Sequence, residues 1–356
     1  MKEDCVKVGI IGTGGIANIH ARYYKELPDV ELIAVADIDE KRAIDFAKRW
    51  GVPEKNVFTD YSRMLQSVQL DAVSVCTPHG VHAKPTIEAL RKGIHVHVEK
   101  PMASRAADAL EMWKAAKESG RILMVGFQSR WSPEIVAAKR IVASGSLGKI
   151  YYCEATLGGR RRGIPGSATF LKRELAGGGV VLDLGCYAID NAMHILGFPR
   201  PVSVSAAVEA AIGPQKNSVV ECGWSWNPED FEVEDFAVAF IRLEGGCSVV
   251  LKESWAMHSN SIGSAFFLGT KGGLKLSPLE VYRDEWGYMT TTTLMLPQVD
   301  TYREKVKAFV EAVRKGGPPP IDPREIVIEQ FILETIYESA SKGKEVEVKL
   351  PRELLV

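Results

Sequence analysis

The chain has 356 residues, enough at about 150 residues per domain for two domains with separate hydrophobic cores. Lys and Arg number 44 against 45 Asp and Glu, and the net charge of −1 excludes a protein that holds nucleic acid or an anionic membrane by bulk charge. A hydrophobic share of 46% excludes wholesale disorder, and six cysteines (5, 76, 153, 186, 222, 247) without C-x-x-C spacing exclude a zinc knuckle or a dense disulfide framework.

The opening residues, MKEDCVKVGIIGTGGIA, place an apolar run after a lysine, but Glu3, Asp4 and the glycines at 12, 14 and 15 make it a poor secretion leader. The longest uncharged run, Ser254 to Thr270, is too polar for hydrocarbon. A soluble protein of the reducing cytoplasm is expected.

From Val6 to Phe127, short β-branched runs alternate with amphipathic stretches. The strands are KVGIIG, ELIAVAD, NVFT, DAVSVCTP, HVHVEKP and RILMVGF; HAKPTIEALRKG and SRAADALEMWKAAKESG are the clearest helices, stopped by Gly93 and Gly120. This order predicts an α/β chain that starts with a doubly wound parallel Rossmann domain over 1–127. Beyond it come a helix near Ser132–Ser144 and a glycine-rich stretch, then VSVSAAVEA, VVECGWSW, DFAVAFIRLEGG, CSVVLKESWA and SAFFLGTKGGLKL with period-2 character. Two last helices, REKVKAFVEAVRKG and EIVIEQFILETIYESASKG, flank Pro318–Pro320. An α+β domain over 128–356 with a large, mostly antiparallel open sheet is predicted, its last helices free to pack back on the first domain.

Two sites emerge. Gly12-Thr13-Gly14-Gly15-Ile16-Ala17 sits between the first strand and a helix: Gly12 permits the tight turn, Gly14 lets backbone approach a pyrophosphate, and Ala17 allows close helix-to-strand packing. Asp37, followed by Ile38, ends the second strand 25 residues after Gly12, where an acid accepts from the adenosine ribose and repels a 2′-phosphate. NAD is therefore favoured over NADP, with Lys41 and Arg42 near enough to contest it. Thr77, Pro78, His79 and His82 follow the fourth strand, and Glu99-Lys100-Pro101 the fifth, at carboxyl ends where open parallel sheets bind ligands.

The second site lies in 158–185, where eight glycines lead into Val180–His194. Helical spacing puts Asp183, Tyr187 and Asp190 or Asn191 on one polar face, with His194 a turn beyond. Such a face inside apolar surroundings is paired or functional.

GTGGIA, TPHGVHA, EKP and GGGVVLDLGCYAID in this order, with GTKGGL at 269–274, resemble the Gfo/Idh/MocA oxidoreductases over nearly the whole chain. The resemblance implies NAD or NADP in the first domain, a carbohydrate or polyol pocket on one sheet face of the second, and a homodimer or homotetramer through the other. It makes Lys100 the lysine beside nicotinamide and substrate, and Asp183 the acid heading the second motif. Tyr187 stands where many members have histidine, as in the branches that use tyrosine there, and His79 stands where asparagine is usual.

These residues imply hydride transfer between nicotinamide and a secondary alcohol or carbonyl of a sugar, sugar derivative or cyclitol. Tyr187 is the acid/base; its reference pKa near 10 is high for base work, and the Lys100 ammonium would stabilise its phenolate. Asp183 would orient a substrate hydroxyl, with Arg130, Asp190 and His194 as further pocket members. The crowd of Arg160, Arg161, Arg162, Lys172 and Arg173 before the helix would hold an anionic or hydroxyl-rich ligand, or serve as a solvated loop or subunit contact. Alternatives are an NAD-dependent glycosidase working by transient oxidation and elimination, and a non-catalytic cofactor-sensing paralogue. His79, His82, His95 and His97 lie within 19 residues, but a metal site is not expected from them, because His95 starts its strand far from the carboxyl end.

Overall fold

A computed structural model describes residues 5–158, 163–215 and 226–355. The first part runs β1 (Val6–Ile11), α1 (Gly15–Glu26), β2 (Val30–Ala36), α2 (Glu40–Trp50), β3 (Val57–Phe58), α3 (Tyr61–Ser67), β4 (Ala72–Val75), α4 (Ala83–Arg91), β5 (His95–Val98), α5 (Ala106–Ser119) and β6 (Leu123–Val125). Its six strands are all parallel in the order β3-β2-β1-β4-β5-β6. Crossover helices bury both faces, which is why Val8, Ile10, Val73, Val75, Val96 and Val98 all lose their solvent contact and the strands read as continuous apolar runs.

The chain continues through α6 (Pro133–Ala143), β7 (Ile150–Gly158), α7 (Ala168–Leu171), α8 (Arg173–Ala176) and one wide π turn (Val181–Gly185) into α9 (Cys186–Leu196). Then come β8 (Pro201–Glu209), β9 (Phe236–Leu243), β10 (Ser248–Ser254), β11 (Phe266–Gly269), β12 (Gly273–Lys275), β13 (Glu280–Glu285), β14 (Tyr288–Thr293), α10 (Thr301–Lys315), α11 (Pro323–Lys342) and β15 (Val346–Glu347). Nine strands form a sheet in the order β14-β13-β12-β11-β7-β10-β9-β8-β15, antiparallel except where β7 meets β10. Ala237, Ala239 and Ile241 of β9 and Val249 and Leu251 of β10 turn inward, while Val238, Phe240 and Val250 alternate with them on the half-covered face.

The Rossmann sheet and the mostly antiparallel second sheet are as expected. Two details differ. SAFFLGTKGGLKL is two strands, because Gly269 N–H donates to Gly272 O at 2.8 Å and turns the chain. Strands β7, β13, β14 and β15 were not anticipated. Most of VVECGWSW lies outside the described residues.

The chain groups into two compact units, Met1–Gln128 with Asp300–Val327, and Ser129–Val299 with Ile328–Val356. Helix α10 thus belongs with the first sheet: Asp300 caps it by accepting from Arg303 N–H, and Tyr23 of α1 donates to the same carboxylate at 2.6 Å. No described helix is long and apolar enough to cross a membrane.

Candidate active site

The β1–α1 turn has the shape of an anion cradle. Gly12 holds φ +86°, and a Cβ there would lie 2.7 Å from Cys76 O, so only glycine fits. Gly14 and Gly15 have open space around them, whereas Ala17 is buried beneath. Helix α1 begins without a side-chain cap and without an acid in its first turn, leaving its positive end unneutralised. Asp37 accepts from Thr13 N–H and Oγ–H (2.8 Å each), Asp39 N–H (3.0 Å) and the Arg42 guanidinium (2.9 Å). Burial pushes this carboxyl up, but the four donors outweigh it and hold it below the usual range. Ile38 beside it is 90% exposed and offers an apolar surface. A dinucleotide fits this donor and acceptor set.

His82 ties together the ends of β4 and β5. It is buried, with Nε2 2.8 Å from Thr77 O and Nδ1 2.9 Å from Pro101 O. Burial lowers its pKa against the pull of both carbonyls, so a neutral ring donates to one of them. The buried His79 ring stands edge-on to it at 5.9 Å, and Pro78 lies between Thr77 and His79 at the start of this loop. Lys100 is half-buried.

Glu99 has a different environment. Its Oε1 takes Lys305 Nζ at 2.5 Å and His20 Nε2 at 2.8 Å, and all three residues are buried. Sequence reasoning missed His20 and Lys305. The available signal was that Lys305 falls with Val306, Phe309 and Val310 on the apolar stripe of α10. His97 stacks on His20 at 4.5 Å and meets Phe309 at 5.2 Å, while His95 accepts from Ile122 N–H. His20, His97 and Glu99 present ligand atoms within 4.8 Å of one another, but the Lys305 ammonium already occupies the cation position there.

In the second unit, the glycine run serves close packing. A Cβ on Gly179 would lie 2.0 Å from Glu234 O. Glu234 Oε1 accepts from Gly179 N–H (2.8 Å), Val181 N–H (3.1 Å) and Tyr337 Oη–H (2.7 Å), fixing the entry to the π turn and α9. Asp183 lies in that turn, half-buried, and accepts from Trp255 Nε1–H at 2.9 Å. Tyr187 follows four residues on, also half-buried. Neither Glu234, Trp255 nor Tyr337 was singled out from sequence.

The rest of the polar face turns inward. Asp190 is fully buried, and the Arg130 guanidinium grips its carboxylate through Nε (3.0 Å) and Nη2 (2.6 Å). Burial and the Asp190 charge push the nearby Glu329 carboxyl well up, with Arg130 pulling the other way. Burial, Arg130 and Lys139 bring His194 down to about 3. Arg130 and Asp190 are thus each other's partners. Arg160, Arg161 and Arg162 lie outside the described residues. Lys172 meets Asp230 and Glu232 at 3.1 and 3.0 Å, and Arg173 donates to Glu232 O.

Known proteins are similar to this chain over nearly its whole length. Residues 6–127 match the model of an oxidoreductase family with an NAD-binding Rossmann fold, and 135–275 match the GFO/IDH/MocA C-terminal domain. D-glucoside 3-dehydrogenase of Escherichia coli is 35% identical over 355 residues, covering 98% of this chain and 99% of that protein. D-xylose 1-dehydrogenase (NADP(+)) 2 of Haloferax volcanii is 28% identical over 349 residues, covering 96% and 99%. Among solved structures, GenD2 from gentamicin A biosynthesis in complex with NAD has 26% identity and a TM-score of 0.79, with 98% of each chain covered. The chain is an enzyme and belongs to the Gfo/Idh/MocA family of oxidoreductases.

Proposed function

We propose that the enzyme is a nicotinamide-dependent sugar dehydrogenase, with NAD as its preferred cofactor and a secondary hydroxyl of a D-glucoside or related sugar as the group oxidised. The observation that carries the cofactor reading is the acid-free start of α1 behind Gly12, with an ionised Asp37 tied to Thr13. The similarity to D-glucoside 3-dehydrogenase supports the sugar class.

When bound, the nicotinamide supplies a hydride acceptor. The protein's part is to hold the cofactor and move one proton. Thr13, Gly14, Gly15 and Ile16 offer the backbone of the cradle, and Asp37 takes the ribose hydroxyls. Tyr187 accepts the substrate proton through Oη, and the Lys100 ammonium lowers the cost of the phenolate. Asp183, oriented by Trp255, accepts a neighbouring substrate hydroxyl. The Arg130–Asp190 pair steadies α9 from inside instead of touching substrate.

Monosaccharides, methyl glucosides and cyclitols assayed separately with NAD and NADP should show NAD-linked turnover on a glucoside. Tyr187→Phe should lower that turnover about 100-fold with NAD affinity within about twofold. Undiminished turnover removes Tyr187 from the mechanism.

A further inference from the structure

Glu99 and Lys100 are chain neighbours of opposite charge, the first buried and the second half-buried. The ladder runs one residue past β5, since Glu99 N–H donates to Val75 O at 3.0 Å. On such a stretch His97 and Glu99 share one side, and Val98 takes the other. The His97 and Glu99 side meets α1 and α10.

There Glu99 is fitted closely. A Cβ on Gly126 would come within 2.6 Å of its Oε1. Tyr24 Oη lies 2.7 Å from Ser74 Oγ, which lies 2.9 Å from His20 Nδ1. With Tyr24 donating to Ser74 and Ser74 to His20, the imidazole keeps its proton on Nε2 for Glu99. Lys305 completes the set with an ammonium brought from 206 residues away in the chain. Burial pushes the Glu99 carboxyl up, but Lys305 and His20 together hold it well below its usual range.

A buried carboxylate without a cation draws in the nearest one or takes up a proton. In sequence, the nearest ammonium to Glu99 is Lys100. We propose that Lys305 is a positioning residue for Lys100: by neutralising Glu99, it keeps that carboxylate from drawing the Lys100 ammonium away from the reacting centre. The inference rests on the reading of Lys100 as the ammonium that assists proton transfer.

Lys305→Met, Glu99→Gln, the double variant and Lys100→Met are compared with methyl glucoside and saturating NAD. Lys305→Met should lower kcat about 10-fold or more, with sugar KM and NAD affinity within about threefold, whereas Glu99→Gln leaves no carboxylate to draw Lys100 and should keep kcat well above that of Lys305→Met. The double variant removes both charges and keeps an acceptor for His20, so its kcat should return to within about threefold of the parent. If Lys305→Met does not fold, Lys305→Gln, which keeps a hydrogen-bond donor but no charge, carries the same comparison. Parental kcat in the folded Lys305 variant, a Glu99→Gln variant as slow as it, or a double variant no better than it overturns the proposal. Parental kcat in Lys100→Met overturns instead the reading on which it rests.

Discussion

At the scale of single residues, Asp37 shows how a cofactor preference is built before any ligand arrives. Four donors converge on its carboxylate, and one of them, Arg42, stays half-exposed at the rim. A ribose hydroxyl can join this set, but a 2′-phosphate meets the carboxylate's charge. Asp37→Ser should lower kcat/KM with NAD about tenfold or more, as loss of a charged hydrogen bond predicts, and raise the NADP to NAD ratio through the freed Arg42. An unchanged ratio in cofactor-specific assays would count against the assignment. Gly12 and Asp37 were legible in the sequence because both lie in one short strand–helix–strand unit, at the ends of β1 and β2. Lys305 and His20 were not, because their meaning lies in a partner on another element, and a lone polar residue on an apolar stripe does not name it.

At the scale of elements, the entry to α9 is the most constrained junction. Three donors on the Glu234 carboxylate set the direction of the turn that carries Asp183 and, one turn on, Tyr187. Tyr337→Phe removes one donor from a buried carboxylate and should cost roughly 1.5–3 kcal/mol in urea unfolding. Gly179→Ala forces a Cβ against the Glu234 carbonyl and should lower kcat as well as stability, because the turn must shift. A parental kcat in Gly179→Ala would separate the turn from the chemistry. The strands of the first sheet were readable because burial on both faces leaves unbroken β-branched runs. Strand β7 buries only Cys153 and Ala155 fully, β13 only Val281, and β14 exposes nearly all of its residues, so hydrophobic alternation there is faint. Their hairpin signal was Trp286-Gly287, both at positive φ.

For the whole molecule, the histidines set the acid limit. Five of the seven, His20, His82, His95, His97 and His194, are pushed below their ordinary value, first by burial. The unfolded chain takes protons near pH 6.5 that the fold refuses, so stability falls as pH drops below that value, for His194 down to about 3. Glu99, lowered in the fold, adds a further loss below the ordinary carboxylate range. Glu234 and Glu329, raised by burial, act in the opposite sense: their stability is present below about 4.5 and fades as pH rises through their folded values. The urea midpoint should therefore fall between pH 6.5 and 4.5, and His97→Phe should flatten that slope. A flat midpoint across this range would show that the histidines protonate without unfolding anything. The order of synthesis gives α10 one more consequence. Lys305 leaves the ribosome 206 residues after Glu99, on the order of 10–40 s later at about 5–20 residues per second. The sheet made first therefore waits for a helix made after most of the second sheet, and a nascent chain stopped before residue 300 carries a Rossmann sheet whose buried Glu99 carboxylate still lacks its counter-ion.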